Sequence, residues 1–193
     1  MRIMQFILLI IILLGMSCIA TDSRELYTEW VGSEDRRIPI WISYEFGSAD
    51  VIAISSAIDH WNRSLNGSIR LEVVDIVFNE EGEKVVEQIR ERGWIIRKIG
   101  TEGLPNVGVG YNCVGFADKI GGSHIYIVRE RLDNDEVFGV VMHEIGHLLG
   151  AGHVGHGLMQ AHFRKVDSQC IDYDSAMAVK QYLKLGKINW CRD

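Results

Sequence analysis

Proline is scarce, two residues in 193, and no low-complexity run is present. A long disordered linker therefore has no compositional support. No segment repeats another. Lysine and arginine form no cluster or stripe, and the formal net charge is -6. A nucleic-acid or anionic-membrane surface thus has no electrostatic support. The four cysteines include no Cys-x-x-Cys pair, so a cysteine zinc cluster has no support either. What remains, 47% apolar and 24% charged residues, is the make-up of an ordinary globular chain with room for one sizeable core.

One apolar run stands apart. After Arg2 the chain reads "IMQFILLIIILLGM", residues Ile3 to Met16, the positive start and apolar stretch of an export signal. It is shorter than the ~20 apolar residues a spanning helix needs, although an uncleaved anchor stays open as an alternative. Its end, "LLGMSC", resembles the lipobox of bacterial lipoproteins, which would make Cys18 a lipid-bearing first residue and a membrane tether. Gly15 departs from the aliphatic residue usual at that place, and ordinary cleavage after Ala20 remains the alternative. Residues 21–35 then form a short linker, too brief for an inhibitory domain, and 36–193 a single domain. Export permits disulfides. Cys170 and Cys191 flank the last helical pattern and are the expected pair. Spacing alone leaves open that they and Cys113 are free.

Periodicity orders the elements. Ile38, Ile40, Ile42 and Tyr44 alternate as in a half-buried strand. Val51, Ile54, Ile58, Trp61 and Leu65 make one face of a helix that ends at Asn66-Gly67. His60 on that helix has no ligand-spaced partner and reads as a surface or packing residue. Residues 68–78 read as a strand, "EGEKVVEQIRERG" as a short charged helix or excursion with a solvated face, and "WIIRKIG" as a third strand. The glycine-rich stretch from Leu104 to Gly122 suits an irregular edge strand, and "SHIYIVRE" another strand. Asp133 with Glu136 signals a helix N-terminus, continued by Val137, Val140, Val141, Ile145 and Leu148. A last helix buries Ala176, Val179, Tyr182 and Leu183. The expected fold is α+β, with a sheet built before the helix that bears the histidines.

That helix runs into "VVMHEIGHLLGAGHVGHGLM", Val140 to Met159. Residues four apart on a helix share a face, so His143 and His147 aim two imidazoles at one point. Glu144 is turned aside from that axis, where it can meet a water instead of a metal. Gly150 stops the helix and supplies the positive φ that reverses the chain, so His153 can return as a third ligand. His156 and His162 are rival third ligands, but His153 fits the spacing. The short His-Glu-x-x-His pattern alone is a weak signal. The full H-E-x-x-H-x-x-G-x-x-H arises by random placement on the order of once in ten thousand such chains. A polar histidine-rich loop would also leave unexplained why the helical apolar pattern continues through the first two histidines.

This stretch resembles the zinc-binding motif of the metzincin metalloproteases, and its setting is most similar to matrixin-like members. The resemblance implies a zincin-type domain with a twisted mixed sheet, an active-site helix, a Met-turn and a C-terminal helix. It implies one catalytic zinc on His143, His147 and His153, Glu144 as general base, and Met159 in the tight turn beneath the metal. It covers roughly residues 36 to 186, strongly at the motif and loosely elsewhere. His124 stands where matrixins carry part of a second, structural zinc site, but the companion ligands are not evident. The tyrosine that follows the methionine in astacin-like relatives is missing; Gln160, Ala161 and His162 stand there. The implied activity is an exported metalloendopeptidase acting on a peptide or protein that lies extended along Gly108 to Phe116, beside a pocket shaped by Gln160 to Val166. Two other readings are a zinc amide hydrolase acting on a cell-wall linkage and a non-catalytic metal-binding lipoprotein. Glu144 speaks against the last, since binding alone needs no carboxylate there.

Overall fold

A computed structural model of the protein describes residues 36–76, 93–107, 112–162 and 169–191. The export signal, the linker and the charged helix expected after residue 80 fall outside the described residues. Among the described residues no helix is long and apolar enough to cross a membrane.

Five strands form one mixed sheet in the order β2-β1-β3-β5-β4. They are β1 (Arg37–Ile42), β2 (Arg70–Ile76), β3 (Trp94–Lys98), β4 (Gly115–Ala117) and β5 (His124–Ile127). The first three and β5 run parallel, and β4 closes the edge antiparallel to β5. Ile38, Ile40 and Ile42 all point into the main core, as a period of two requires. β3 lies in the middle of the sheet and buries Trp94, Ile95 and Ile96 in succession. A run of buried apolar residues is expected of a strand covered on both faces.

Helix α1 (Ser48–Leu65) crosses from β1 to β2, burying Ile54, Ala57, Ile58, Trp61 and Leu65. It ends where expected, with Asn66 left-handed at the C-cap. Helix α2 (Val137–Leu148) packs on α1, β4 and β5 and is buried at nearly every position. Helix α3 (Tyr173–Leu183) buries Ala176, Val179 and Leu183, with Tyr182 only half-buried. The α+β arrangement expected from the sequence is the one observed, although Thr101–Val107 and Arg129–Arg131 are 3-10 turns that overlap expected strand, and the start of α2 differs. Asp133 does not cap α2, which starts four residues later. Asp133 and Glu136 close a separate turn, the Asp133 N–H donating to Glu136 Oε2 at 2.8 Å. The preceding segment is tied down by Arg129, which donates to the Leu132 carbonyl, the Asn134 side chain and Asp50 on α1.

Cys170 and Cys191 form a disulfide. It fastens the C-terminal tail beside the start of α3, where the Cys191 N–H also donates to the Ile171 carbonyl.

Candidate metal centre

The first two histidines owe their placement to how α2 is held. Trp61, fully buried on α1, donates its indole N–H to the Met142 carbonyl at 2.8 Å. The helix is thereby fixed one residue before His143. At its other end Gly150 has φ +93°. The Gly150 N–H donates to the His147 carbonyl and the Ala151 N–H to the Gly146 carbonyl, the pair of bonds that defines a Schellman stop. A side chain at Gly150 would also meet the Tyr182 ring, its Cβ only 1.8 Å from Cδ1.

Past this stop the chain doubles back. Val154 pairs with Gln160, and the Val154 N–H donates to the Met159 carbonyl at 2.8 Å. This loop follows His153, which the reversal at Gly150 has already brought back towards the helix. The ligand-capable nitrogens of His143, His147 and His153 lie within 4.8 Å of one another. Their rings stand 4.7 to 5.4 Å apart between centroids.

Two of these rings are oriented by backbone carbonyls. His143 Nδ1 lies 2.6 Å from the Leu158 carbonyl, and His147 Nδ1 lies 2.8 Å from that of Ala151. A carbonyl only accepts, so each Nδ1 carries the proton and each Nε2 keeps its lone pair for a metal. Burial lowers the pKa of His143 to about 4, against a raising effect of the Leu158 bond, and that of His147 to about 3. His153, half-buried, is lowered by burial and by the nearby His162. All three are neutral at pH 7, the state in which imidazole binds a metal.

Glu144 lies beside them, buried. Burial pushes its carboxyl up to about 8, partly offset by the Ala117 N–H of β4, which donates to it. Among the described residues its Oε2 has no hydrogen-bond partner. A carboxylate oxygen this deeply buried requires a partner, and a cation with its water, held by the three imidazoles, would supply one. The donor set therefore fits a divalent ion such as zinc.

Met159 is fully buried beneath α2, at the end of the turn. A Cβ at Gly146 would sit 2.3 Å from its sulfur. α3 holds this turn from below. The Leu158 N–H donates to Asp172 Oδ2 at 2.7 Å, and the Met159 N–H to Ser175 Oγ at 3.1 Å.

The remaining histidines lie elsewhere. His156 is exposed and sits 3.3 Å from Asp174, and His162 is exposed as well; neither belongs to the converging set. His124 is buried on β5 within 2.9 Å of Ser123 Oγ. Among the described residues it joins no set of three metal-ligating side chains. His60 packs edge-on against Phe138. The substrate segment expected over Gly108 to Phe116 lies partly outside the described residues, as does the pocket stretch beyond His162. Ala117, Asp172 and Ser175 were not expected at the site. Asp172 before a helical pattern is a readable N-cap signal, but nothing local shows that its carboxylate also reaches Leu158.

Neither protein-family models nor curated proteins give a significant match to the chain. Among solved structures, the fold is similar to that of archaemetzincin from Methanopyrus kandleri. The TM-score is 0.54, with 79% of this chain and 99% of that chain covered at 14% sequence identity. At that identity the likeness is one of fold, which is metzincin-like.

Proposed function

We propose that the chain is an exported zinc-dependent metalloendopeptidase of matrixin-like type, with His143, His147 and His153 as ligands and Glu144 as general base. The observation that carries this reading is the convergence of three neutral imidazoles beside a buried carboxylate with an unpartnered oxygen. The metzincin-like fold supports it. Export rests on the apolar run of residues 3–16 and the candidate lipid-bearing Cys18.

A divalent ion held there supplies an electrophile that polarises a carbonyl and makes water nucleophilic near neutral pH. The chain's own groups do the rest. The Ala117 N–H holds the Glu144 carboxyl, and Oε2 is left without a protein partner among the described residues. Through that oxygen Glu144 removes a proton from the attacking water and returns it to the leaving amine.

An extended peptide would lie along the β4 edge, as the metzincin resemblance implies. The Asp118 N–H donates to the His124 carbonyl and the Val128 N–H to that of Val114. In an antiparallel ladder the alternate residues then face outward, so the main-chain groups of Gly115 and Ala117 turn away from β5, the Ala117 N–H towards Glu144. A substrate strand added here would pass beside Glu144.

Glu144→Gln tests the assignment. Zinc stoichiometry and affinity, read by chelator competition, should be kept. Cleavage of a denatured protein mixture should fall by about 10²–10⁴, the worth of general acid–base catalysis. If the zinc-loaded wild-type protein cleaves no polypeptide, the peptidase reading fails.

A further inference from the structure

We propose that Asp172 is a positioning residue of the metal centre, acting on His143 through Ser175 and the peptide group between Leu158 and Met159. The inference rests on the reading of His143 as a metal ligand. It follows from an unbroken chain of hydrogen bonds. His143 Nδ1–H donates to the Leu158 carbonyl at 2.6 Å. The N–H of that same peptide group, on Met159, donates to Ser175 Oγ at 3.1 Å. The Ser175 hydroxyl donates in turn to Asp172 Oδ2 at 2.6 Å. A carboxylate thus stands at the far end of a chain whose near end is a ligand imidazole.

Each link strengthens the next. A peptide whose N–H is drawn to an acceptor carries more charge on its oxygen, and is a better acceptor itself. The Leu158 carbonyl therefore pulls harder on the Nδ1 proton of His143, and electron density moves to Nε2. In many metal sites a carboxylate bonded directly to the histidine does this. Here a serine and one peptide group carry the effect over a longer span. Ser175 is fully buried, so the middle of the relay is shielded from water.

Asp172 is built for the role. Burial by itself would raise its pKa, but bonds from the Ser175 hydroxyl, the Ser175 N–H and the Leu158 N–H outweigh it and hold the carboxyl below its ordinary value. The group is ionised at neutral pH. Gly157 leaves room for it, since a Cβ there would lie 2.2 Å from Oδ2. Asp172 is also the N-cap of α3, so its two roles must be separated by experiment.

Asp172→Asn keeps a good N-cap and removes the charge, and Ser175→Ala cuts the chain in its middle. In the full-length protein, zinc affinity should fall about 10–100-fold in each, the usual cost of losing such a partner. The double variant should lose no more than the worse single one, because both interrupt one path. The visible spectrum of the Co²⁺-substituted protein should shift in both. Val179→Ala, which removes packing from the same helix, controls for stability. It should lower the melting temperature comparably while keeping zinc affinity within about twofold, inside the error of additive behaviour. Unchanged affinity in Asp172→Asn, or an equal loss in Val179→Ala, overturns the inference. A wild-type protein that binds no zinc overturns the ligand assignment along with it.

Discussion

Gly146 lies between two ligand histidines and has no side chain, for a reason found one layer down. The sulfur of Met159 occupies the space a Cβ would need, 2.3 Å away, with Trp61 behind it at 3.3 Å. Both neighbours are fully buried, so neither can move aside into solvent. Gly146→Ala should therefore destabilise the protein by about 1–3 kcal/mol, the cost of overpacking a filled core. It should also weaken zinc binding, because relief comes only by lifting α2 or displacing the turn that carries His153. Urea unfolding and chelator competition measure the two effects; an alanine variant as stable as the parent would mean that Met159 does not fill this space. Residues of this kind mark the limit of what the sequence discloses. His143, His147, Gly150 and His153 were legible because helical geometry relates near neighbours along the chain. The Ala117 N–H on Glu144 and the Trp61 indole on Met142 join residues 27 and 81 positions apart. No local period encodes such contacts.

Elements were easier to read than their borders and neighbours. The alternation of Ile38, Ile40 and Ile42 and the face of α1 are consequences of side-chain period, and both appear in the fold. The start of α2 was misplaced because Arg129, held against Asp50 at 2.8 Å, settles the preceding turn by tertiary contact. The strand order β2-β1-β3-β5-β4 was not legible, since pairing depends on how α1 and α2 cover the sheet. Among the connections, the Cys170–Cys191 disulfide closes a loop with a sequence separation of 21. Loop closure of that length restrains the unfolded chain by about 3 kcal/mol. Replacing both cysteines by serine should lower the unfolding free energy by roughly that amount in denaturant titration, with zinc affinity retained in the folded protein. A stability loss near zero would indicate that the tail is already held by Ser64, which bonds Asn189 through both backbone and hydroxyl.

For the whole molecule, the site sets an acid–base balance before any metal arrives. His143 and His147 would protonate near 6.5 in the unfolded chain but only at about 4 and about 3 in the fold. Their contribution to stability is complete above 6.5 and is lost as pH falls below it. Glu144 behaves oppositely. Its proton is held to about 8 in the fold and to 4.5 in the unfolded chain, so its contribution is complete below 4.5 and fades as pH rises towards 8. Two groups oppose one between 4.5 and 6.5, and Glu144 acts alone above that. Considering these three groups, chelator-treated protein should be most stable near pH 6.5, losing stability on either side. Denaturant midpoints taken from pH 4.5 to 8 check this, and a steady rise to pH 8 would contradict it. Saturating zinc should then add about 4 kcal/mol at a thousandfold excess over its dissociation constant.

The turn that carries His153 and Met159 hangs from the cap of α3, and this sets an order of events during synthesis. A nascent polypeptide exposes His143 and His147 well before Asp172 and Ser175 have been made. Without them, nothing below the turn presents the Leu158 carbonyl to the first imidazole. On this order, the first imidazole gains its orienting carbonyl only once helix α3 has docked.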